Sequence, residues 1–384
     1  MDPDAMEPLP SSVLPTGVRS RILPGINGLD IHVLEAGYEG KGRPAVLLLH
    51  GFPELAYSWR KVMPALAAAG YHAIAPDHRG YGRTTGWDAD YDGDITSFRF
   101  TNLLRDSIGV LFALGHRTAE AAVGHDFGAS VAAYAALVRA DIFKRMVLMS
   151  APFGGLPAVP FDTADKPPAG KAPDIHAALA ALSRPRKHYQ WYYSTRPANG
   201  NMWKARQGVH DFLRAYYHHK SADWKVNKPF ELKGWTAEEL AKMPTYYIMD
   251  LADGMAETVA KEMPSPAEIA ANEWLPDRAL KVYSEEYGRT GFQGGLNWYR
   301  VRTGGKVRAE LEVFTGRTID VPSTFISGSS DWGIYQTPGA IERMQKIACT
   351  NMKEIHLIEG AGHWVQQEKA DEVNRLLIQF LKST

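Results

Sequence analysis

The 384-residue chain contains a single cysteine, Cys349, which excludes an intramolecular disulfide and fits a reducing compartment, where such a residue serves as a small buried hydrophobe. Charge of either sign is not in surplus. Lysines and arginines number 43 and so do aspartates and glutamates, so no basic surface and no nucleic-acid partner are expected. No stretch approaches the roughly 18 consecutive apolar residues of a membrane span. The opening "MDPDAMEPLPSSVLP" is acidic and proline-rich rather than basic and then apolar, which is not the build of a secretory signal. A cytoplasmic protein without a membrane span is the expectation. A repeat period is missing too: 35 glycines and 24 prolines are scattered along the chain, predicting many turns and no solenoid.

What is present is a chain that is 45% hydrophobic and long enough for a large core. "LDIHVLEAG" alternates like a strand, and "PAVLLLHGF" is a short apolar run ending in glycine, as in a strand buried on both faces. "WRKVMPALAAAG" has helical spacing and a terminal glycine, and "YHAIAPD" returns to strand. Helix and strand keep alternating through "LLRDSIGVLFALG", "AAVGHD", "GASVAAYAALVRA" and "FKRMVLMSAP". This rhythm predicts an α/β fold with a mostly parallel central sheet flanked by helices. It stops after Pro152 and resumes with the strand "STFISGSSD", the helix "PGAIERMQKIA", the strand "KEIHLIEGAGH" and the helix "ADEVNRLLIQFL". The stretch between, rich in aromatics and helix-like pieces, reads as a largely helical lid over the carboxyl ends of the strands, where open α/β sheets place ligands. The division expected is a core from 1 to 152 (with 1 to 20 as an amino-terminal extension), a lid from 153 to 310 and the remaining core from 311 to 384. The proline-rich "FDTADKPPAGKAPD" is expected to be a solvent-side loop between core and lid.

The stretch "VGHDFGASVA" has the strand, tight turn and helix of a G-x-S-x-G nucleophile elbow, with Asp126 in the serine position. Serine needs a base before it can attack, whereas a carboxylate with a reference pKa of about 3.9 is already ionised. Attack on an acyl carbon would give an anhydride and gain little. Attack on a saturated electrophilic carbon leaves an alkyl ester and displaces an alkoxide or halide, which points to epoxides or alkyl halides. In α/β-hydrolases the chain order is nucleophile, acid, histidine. Asp331, after "STFISGSS", and His363, in "GAGHW", follow Asp126 in that order, each on a loop just past a strand. His363 can activate a water to cleave the ester, and Asp331 can fix its tautomer. In "HGFPE" the Phe52 N–H can pair with the Phe127 N–H as an oxyanion hole. His50 and His125 are expected to brace the loops rather than react.

Together "HGFPELAYSWR", "GYGRT", "GHDFG" and "GAGHWVQQEKADEVNRLLIQFL" resemble the epoxide hydrolases of the α/β-hydrolase fold, over about residues 25 to 150 and 320 to 380. The resemblance implies Asp126 as nucleophile, Asp331 as acid, His363 as base and two lid tyrosines that protonate the epoxide oxygen. One is Tyr299 in "NWYR". The other is Tyr189 in "HYQWYY", with Tyr192 and Tyr193 as alternatives. It also implies a cis Phe52-Pro53 bond and no cofactor or metal. The partners implied are a small apolar epoxide, aromatic types included, and water. Phe153, Trp191, Tyr192, Phe292, Trp298, Trp332 and Trp364 are candidates for an aromatic pocket. Phe127 stands where many relatives carry tryptophan, and the segment from about Lys220 to Pro276 has no evident counterpart. Two rival readings follow from the same residues: a haloalkane or haloacid dehalogenase, and a catalytically silent ligand-binding protein. A dehalogenase needs indole N–H donors for its halide, where this chain offers tyrosines. A silent protein has no need of the complete set.

Overall fold

The apolar runs AVLLL (Ala45–Leu49) and HAIAP (His72–Pro76) leave no face for solvent, and each is buried along its whole length as a strand. The structure is a computed structural model that describes residues 6–156, 174–304 and 309–383. The expected loop "FDTADKPPAGKAPD" lies, up to its last residue, outside them. Among the described residues ten strands follow in chain order: β1 (Val18–Ile26), β2 (Leu29–Ala36), β3 (Ala45–Leu49), β4 (His72–Pro76), β5 (Ala119–His125), β6 (Met146–Met149), β7 (Arg186–His188), β8 (Ile248–Asp250), β9 (Ser323–Gly328) and β10 (Met352–Ile358). Eight of them form one sheet in the order β1-β2-β4-β3-β5-β6-β9-β10. The pairs β1/β2 and β2/β4 are antiparallel, and from β4 to β10 every pair is parallel. The carboxyl ends of β3, β5, β9 and β10 therefore share one edge of the sheet.

The first strand begins at Val18, within the stretch expected to be an extension. Its sequence, VRSRILPGI, lacks a long apolar run because it is an edge strand. Arg19 and Arg21 reach sideways to the buried carboxylate of Glu35 on β2, at 3.1 and 3.4 Å. Elsewhere the helices are shorter than the periodicity suggests. "WRKVMPALAAAG" yields an α-helix only over Met63–Ala68, starting beside Pro64 where a missing N–H costs nothing. "PGAIERMQKIA" is α-helical over Ala340–Arg343 and then widens into a π turn over Met344–Ala348.

Between β6 and β9 the described chain is mainly helical, with helices at Tyr189–Tyr193, Gly208–Lys220, Asp277–Thr290 and Gln293–Thr303 among others. It also contains an antiparallel pair, β7 with β8, which the sequence reading did not anticipate. Among the described residues no helix is long and apolar enough to cross a membrane.

This lid is stitched to the core beside β10. The Trp364 indole donates to the Tyr217 carbonyl at 2.8 Å, and the His363 amide donates to the Lys220 carbonyl at 2.9 Å. Glu368 closes the seam by accepting from the amides of Gly362, Trp364 and lid residue Ala222, each at 2.9 Å. Glu368→Ala would leave three enclosed donors unmet, at about 1 kcal/mol or more each. Urea denaturation is expected to show a loss of about 3 kcal/mol, and a loss below about 1 kcal/mol would mean that the seam does not depend on this carboxylate.

Candidate active site

Asp126 stands on the turn between β5 and the helix Phe127–Val138, at φ 53° and ψ −118°. Such a backbone costs a non-glycine residue about 1–3 kcal/mol and persists only where the surroundings enforce it. The flanking glycines allow the approach that does so. A Cβ on Gly124 would lie 2.1 Å from the Gly128 carbonyl oxygen, and one on Gly128 would lie 2.1 Å from that of Leu49 on β3. The nucleophile turn is thus pressed against the end of the neighbouring strand, and the Asp126 side chain is raised above the sheet edge.

Its two oxygens face different neighbours. Oδ1 accepts the Phe52 N–H at 3.0 Å, while Oδ2 lies 3.4 Å from His363 Nε2. The Phe127 amide is the first of its helix and has no intrahelical acceptor. The Phe52-Pro53 bond is cis. On the far side of the imidazole, His363 Nδ1 is 3.1 Å from Asp331 Oδ1. Asp331 is held in turn by the Gly333 amide at 2.7 Å and the Ser327 hydroxyl at 3.1 Å. Asp126, His363 and Asp331 are brought together in the order the sequence suggests. Burial alone would raise the Asp126 carboxyl. The His363 contact, with Lys220 and His125, outweighs it and holds the group well below the usual carboxylate range.

His125 and His50 do brace loops. His125 reaches Glu54 Oε2 at 2.6 Å with Nδ1 and the His363 carbonyl at 2.7 Å with Nε2. A carbonyl only accepts, and so does an ionised carboxylate, so both ring nitrogens must donate and His125 is an imidazolium. Burial opposes that charge, but Glu54 prevails and the pKa is raised. His50 links the Gly51 carbonyl to the His78 amide.

Two residues that sequence reasoning passed over belong to this site. Glu54 was legible as part of "HGFPE", but its partners were not: it is fully enclosed and also accepts from the Gly51 amide and from Gln366 and Gln367. Lys220 lies in the segment without an evident counterpart, and nothing in its local sequence marks it. It is 3% exposed and makes no ion pair or hydrogen bond through its ammonium among the described residues. Instead its Nζ sits among the rings of Tyr247, Trp364, Tyr216 and Tyr246, at 5.0, 5.4, 5.7 and 5.8 Å. Burial lowers its pKa, while Asp126, Asp331 and Glu54 favour its charge.

A cavity of about 40 Å³ opens over the nucleophile, bounded by Asp126, Phe127, Tyr189, Tyr299, Arg302 and Gln336 among others. Both expected tyrosines reach it, from the helices Tyr189–Tyr193 and Gln293–Thr303, with ring centroids 5.9 Å apart. The Tyr189 hydroxyl donates to Gln336 Oε1 at 3.1 Å and accepts from Gln190. Burial, and then charge including that of Asp126, raises both phenol pKa values. The alternatives lie elsewhere. Tyr193 donates to the Tyr216 hydroxyl behind Tyr299, and the Tyr192 ring lies 4.6 Å from the Lys187 ammonium.

The aromatic pocket expected from sequence needs correction, for Trp191, Tyr192, Phe292, Trp298, Trp332 and Trp364 do not line this cavity. Trp298 donates to the Arg79 carbonyl and packs on His78 and Tyr81. Trp364 is taken up by Tyr217, Trp332 packs on Phe230, Trp191 on His176 and His188, and Phe292 on Tyr287. A helical lid over a sheet needs its own hydrophobic filling, and these large side chains supply it. Phe153 borders a second, outer cavity.

A family model described as the alpha/beta hydrolase fold matches residues 44–370. The chain is 34% identical over 376 residues to epoxide hydrolase A of Mycobacterium tuberculosis, covering 95% of this chain and 98% of that one. Among solved structures it matches an epoxide hydrolase from an endophytic Streptomyces with a TM-score of 0.74 and 30% identity, over 96% of each chain. It matches potato (Solanum tuberosum) epoxide hydrolase I with a TM-score of 0.71 and 27% identity, over 96% of this chain and 100% of that one.

The position of Lys220 has a consequence for pH. An enclosed cation favours the ionised form of Asp126, so losing it raises the carboxyl pKa and protonates the nucleophile at a higher pH. In Lys220→Met, the acid limb of single-turnover ester formation on Asp126 is expected to move to higher pH. An unmoved limb in a folded variant would remove Lys220 from the electrostatics of this site.

Proposed function

Because the chain belongs to the epoxide hydrolases of the α/β-hydrolase fold, we propose that it converts a small epoxide and water into a vicinal diol through an ester on Asp126. The observation that carries the residue assignment is the division of labour between the two Asp126 oxygens. Oδ1 is already engaged by the Phe52 amide, whereas Oδ2 accepts no backbone amide and lies beside His363 Nε2, and the cavity over Asp126 is bordered by both tyrosines. Oδ2 attacks an epoxide carbon, the C–O bond breaks, and the departing alkoxide takes a proton from Tyr189 or Tyr299. An alkoxide is too basic to leave unaided, and phenols kept neutral by their surroundings are suitable donors.

In the second step His363 removes a proton from water, which attacks the ester carbonyl carbon. The charge then developing on Oδ1 falls between the Phe52 and Phe127 amides, which serve as the oxyanion hole. Asp331 stabilises the imidazolium. Collapse breaks the ester C–O bond, the departing alkoxide takes the proton of the newly added hydroxyl and leaves as the diol, Asp126 is again a carboxylate, and the imidazolium proton returns to the tyrosinate. No cofactor or metal enters this scheme. The dehalogenase reading is weaker because the described residues around the cavity include phenols and no indole. A binding protein would not need a nucleophile strained into place beside a complete triad. Location in the cytoplasm is part of the same reading, supported by the single cysteine.

Two experiments test these assignments. His363→Gln is expected to accumulate about one epoxide-derived adduct per chain with little turnover, and Asp126→Ala none, by intact-protein mass spectrometry. A single turnover in H₂¹⁸O is expected to place the label in Asp126; label confined to the diol would make the aspartate a base rather than a nucleophile. For the acids, Tyr189→Phe and Tyr299→Phe are each expected to slow ester formation about 10²-fold, and the double variant to abolish it nearly completely. A double variant with wild-type rates on epoxides would reopen the dehalogenase reading.

A further inference from the structure

Arg302 borders the Asp126 cavity without a hydrogen-bond or ion-pair partner among the described residues. It lies three residues after Tyr299 on the helix Gln293–Thr303, a spacing that puts both on one face. Its guanidinium is 5.6 Å from the ring of Phe127, the residue next to the nucleophile. Among the described residues it makes no hydrogen bond or ion pair. Arg300, on the same helix, is by contrast occupied: it donates to Asn297 Oδ1 at 3.0 Å and lies 3.9 Å from the Tyr91 ring centroid.

The inner cavity, at about 40 Å³ against the roughly 10–15 Å³ that one water needs, holds a few water-sized groups around the reacting atoms and not a whole substrate. Arg302 also borders the outer cavity of about 430 Å³, whose walls include Phe100, Tyr134 and Phe153 and which shares Ser130 and Thr337 with the inner one. The rest of a substrate therefore lies alongside Arg302. Among the described residues lining the two cavities Asp126 is the one carboxylate, and the outer one has a second arginine, Arg343. An ionised Asp126 repels an anionic substrate, and a guanidinium that borders both cavities and has no partner among the described residues offsets that repulsion and offers a planar two-pronged donor.

We propose that the site is built for an epoxide bearing a carboxylate, with Arg302 as the residue that receives it. This rests on the assignment of Asp126 and Tyr299 as reacting groups. The rival role for Arg302 is electrostatic, since its charge also acts on Tyr189; that role makes no distinction between neutral and anionic substrates.

The test compares styrene oxide with its para-carboxylate derivative. The kcat/KM of wild type, Arg302→Gln and Arg302→Lys is measured on both, and calorimetry follows binding of the two corresponding diols, which needs no turnover. Wild type is expected to favour the carboxylate form about tenfold in both measurements. Arg302→Gln is expected to lose that ratio, chiefly through KM, and Arg302→Lys to recover part of it. A wild type that ignores or disfavours the carboxylate, or an Arg302→Gln that slows both epoxides equally with an unchanged ratio, would overturn the proposal. Preference among the diols without turnover of either epoxide would leave Arg302 in place and refute the reaction instead.

Discussion

A carboxylate in a protein interior is tolerated only if its charge and lone pairs are met, and in this fold meeting them organises the site. Glu54 accepts from the Gly51 amide, the His125 imidazolium, Gln366 and Gln367, while its own carbonyl accepts from Tyr287 of the lid. It thereby ties together the loop after β3, the end of β5, the turn after His363 and a lid helix. Removing one member of a buried ion pair typically costs about 3–5 kcal/mol, because the other charge is left uncompensated. His125 immediately precedes Asp126 and also holds the His363 carbonyl, which the Ser150 hydroxyl holds as well at 2.9 Å. The Glu54–His125 charge pair thus helps to fix the separation of Asp126 and His363.

What the sequence made legible is what local geometry dictates. Glycines two residues to either side of Asp126 announce a turn that only small residues permit, and the positions of Asp331 and His363 just past strands follow from the order of elements. Tyr299 and Tyr189 were found through resemblance, and only the packing distinguishes Tyr189 from Tyr192 and Tyr193. Those three share one short helix, and a single turn points its residues in different directions. Tyr189 turns to the cavity, Tyr193 to Tyr216 and Tyr192 to Lys187.

The failures have a common physical origin as well. Trp298 and Trp364 are as aromatic as a pocket residue would be, but aromatic character does not say which surface a ring will cover. That depends on the angle at which a helix crosses the sheet edge, which no short stretch encodes. Lys220 is the opposite case. A lysine in a helix is ordinarily an exposed residue, and its enclosure requires four rings from three separate parts of the chain, Tyr216, Tyr246, Tyr247 and Trp364. β1 escaped because an edge strand with arginines directed at a neighbour's glutamate carries no continuous apolar signal.

The charges surrounding the cavity also bear on how the two proposed half-reactions are joined. In the resting state the Asp126 carboxylate contributes, after burial, to holding the Tyr189 and Tyr299 protons in place. Ester formation removes that negative charge just as an alkoxide appears across the cavity. The phenols then become better acids when an acceptor for their proton exists, and remain poor acids before. Lys220 changes its balance at the same moment, for one of the anions favouring its charge has become neutral while Asp331 and Glu54 persist. Hydrolysis restores the carboxylate and with it the reluctance of the phenols to ionise. A nucleophile whose own charge adds to the effect of burial on the acidity of its partners couples carbon–oxygen bond cleavage to proton donation.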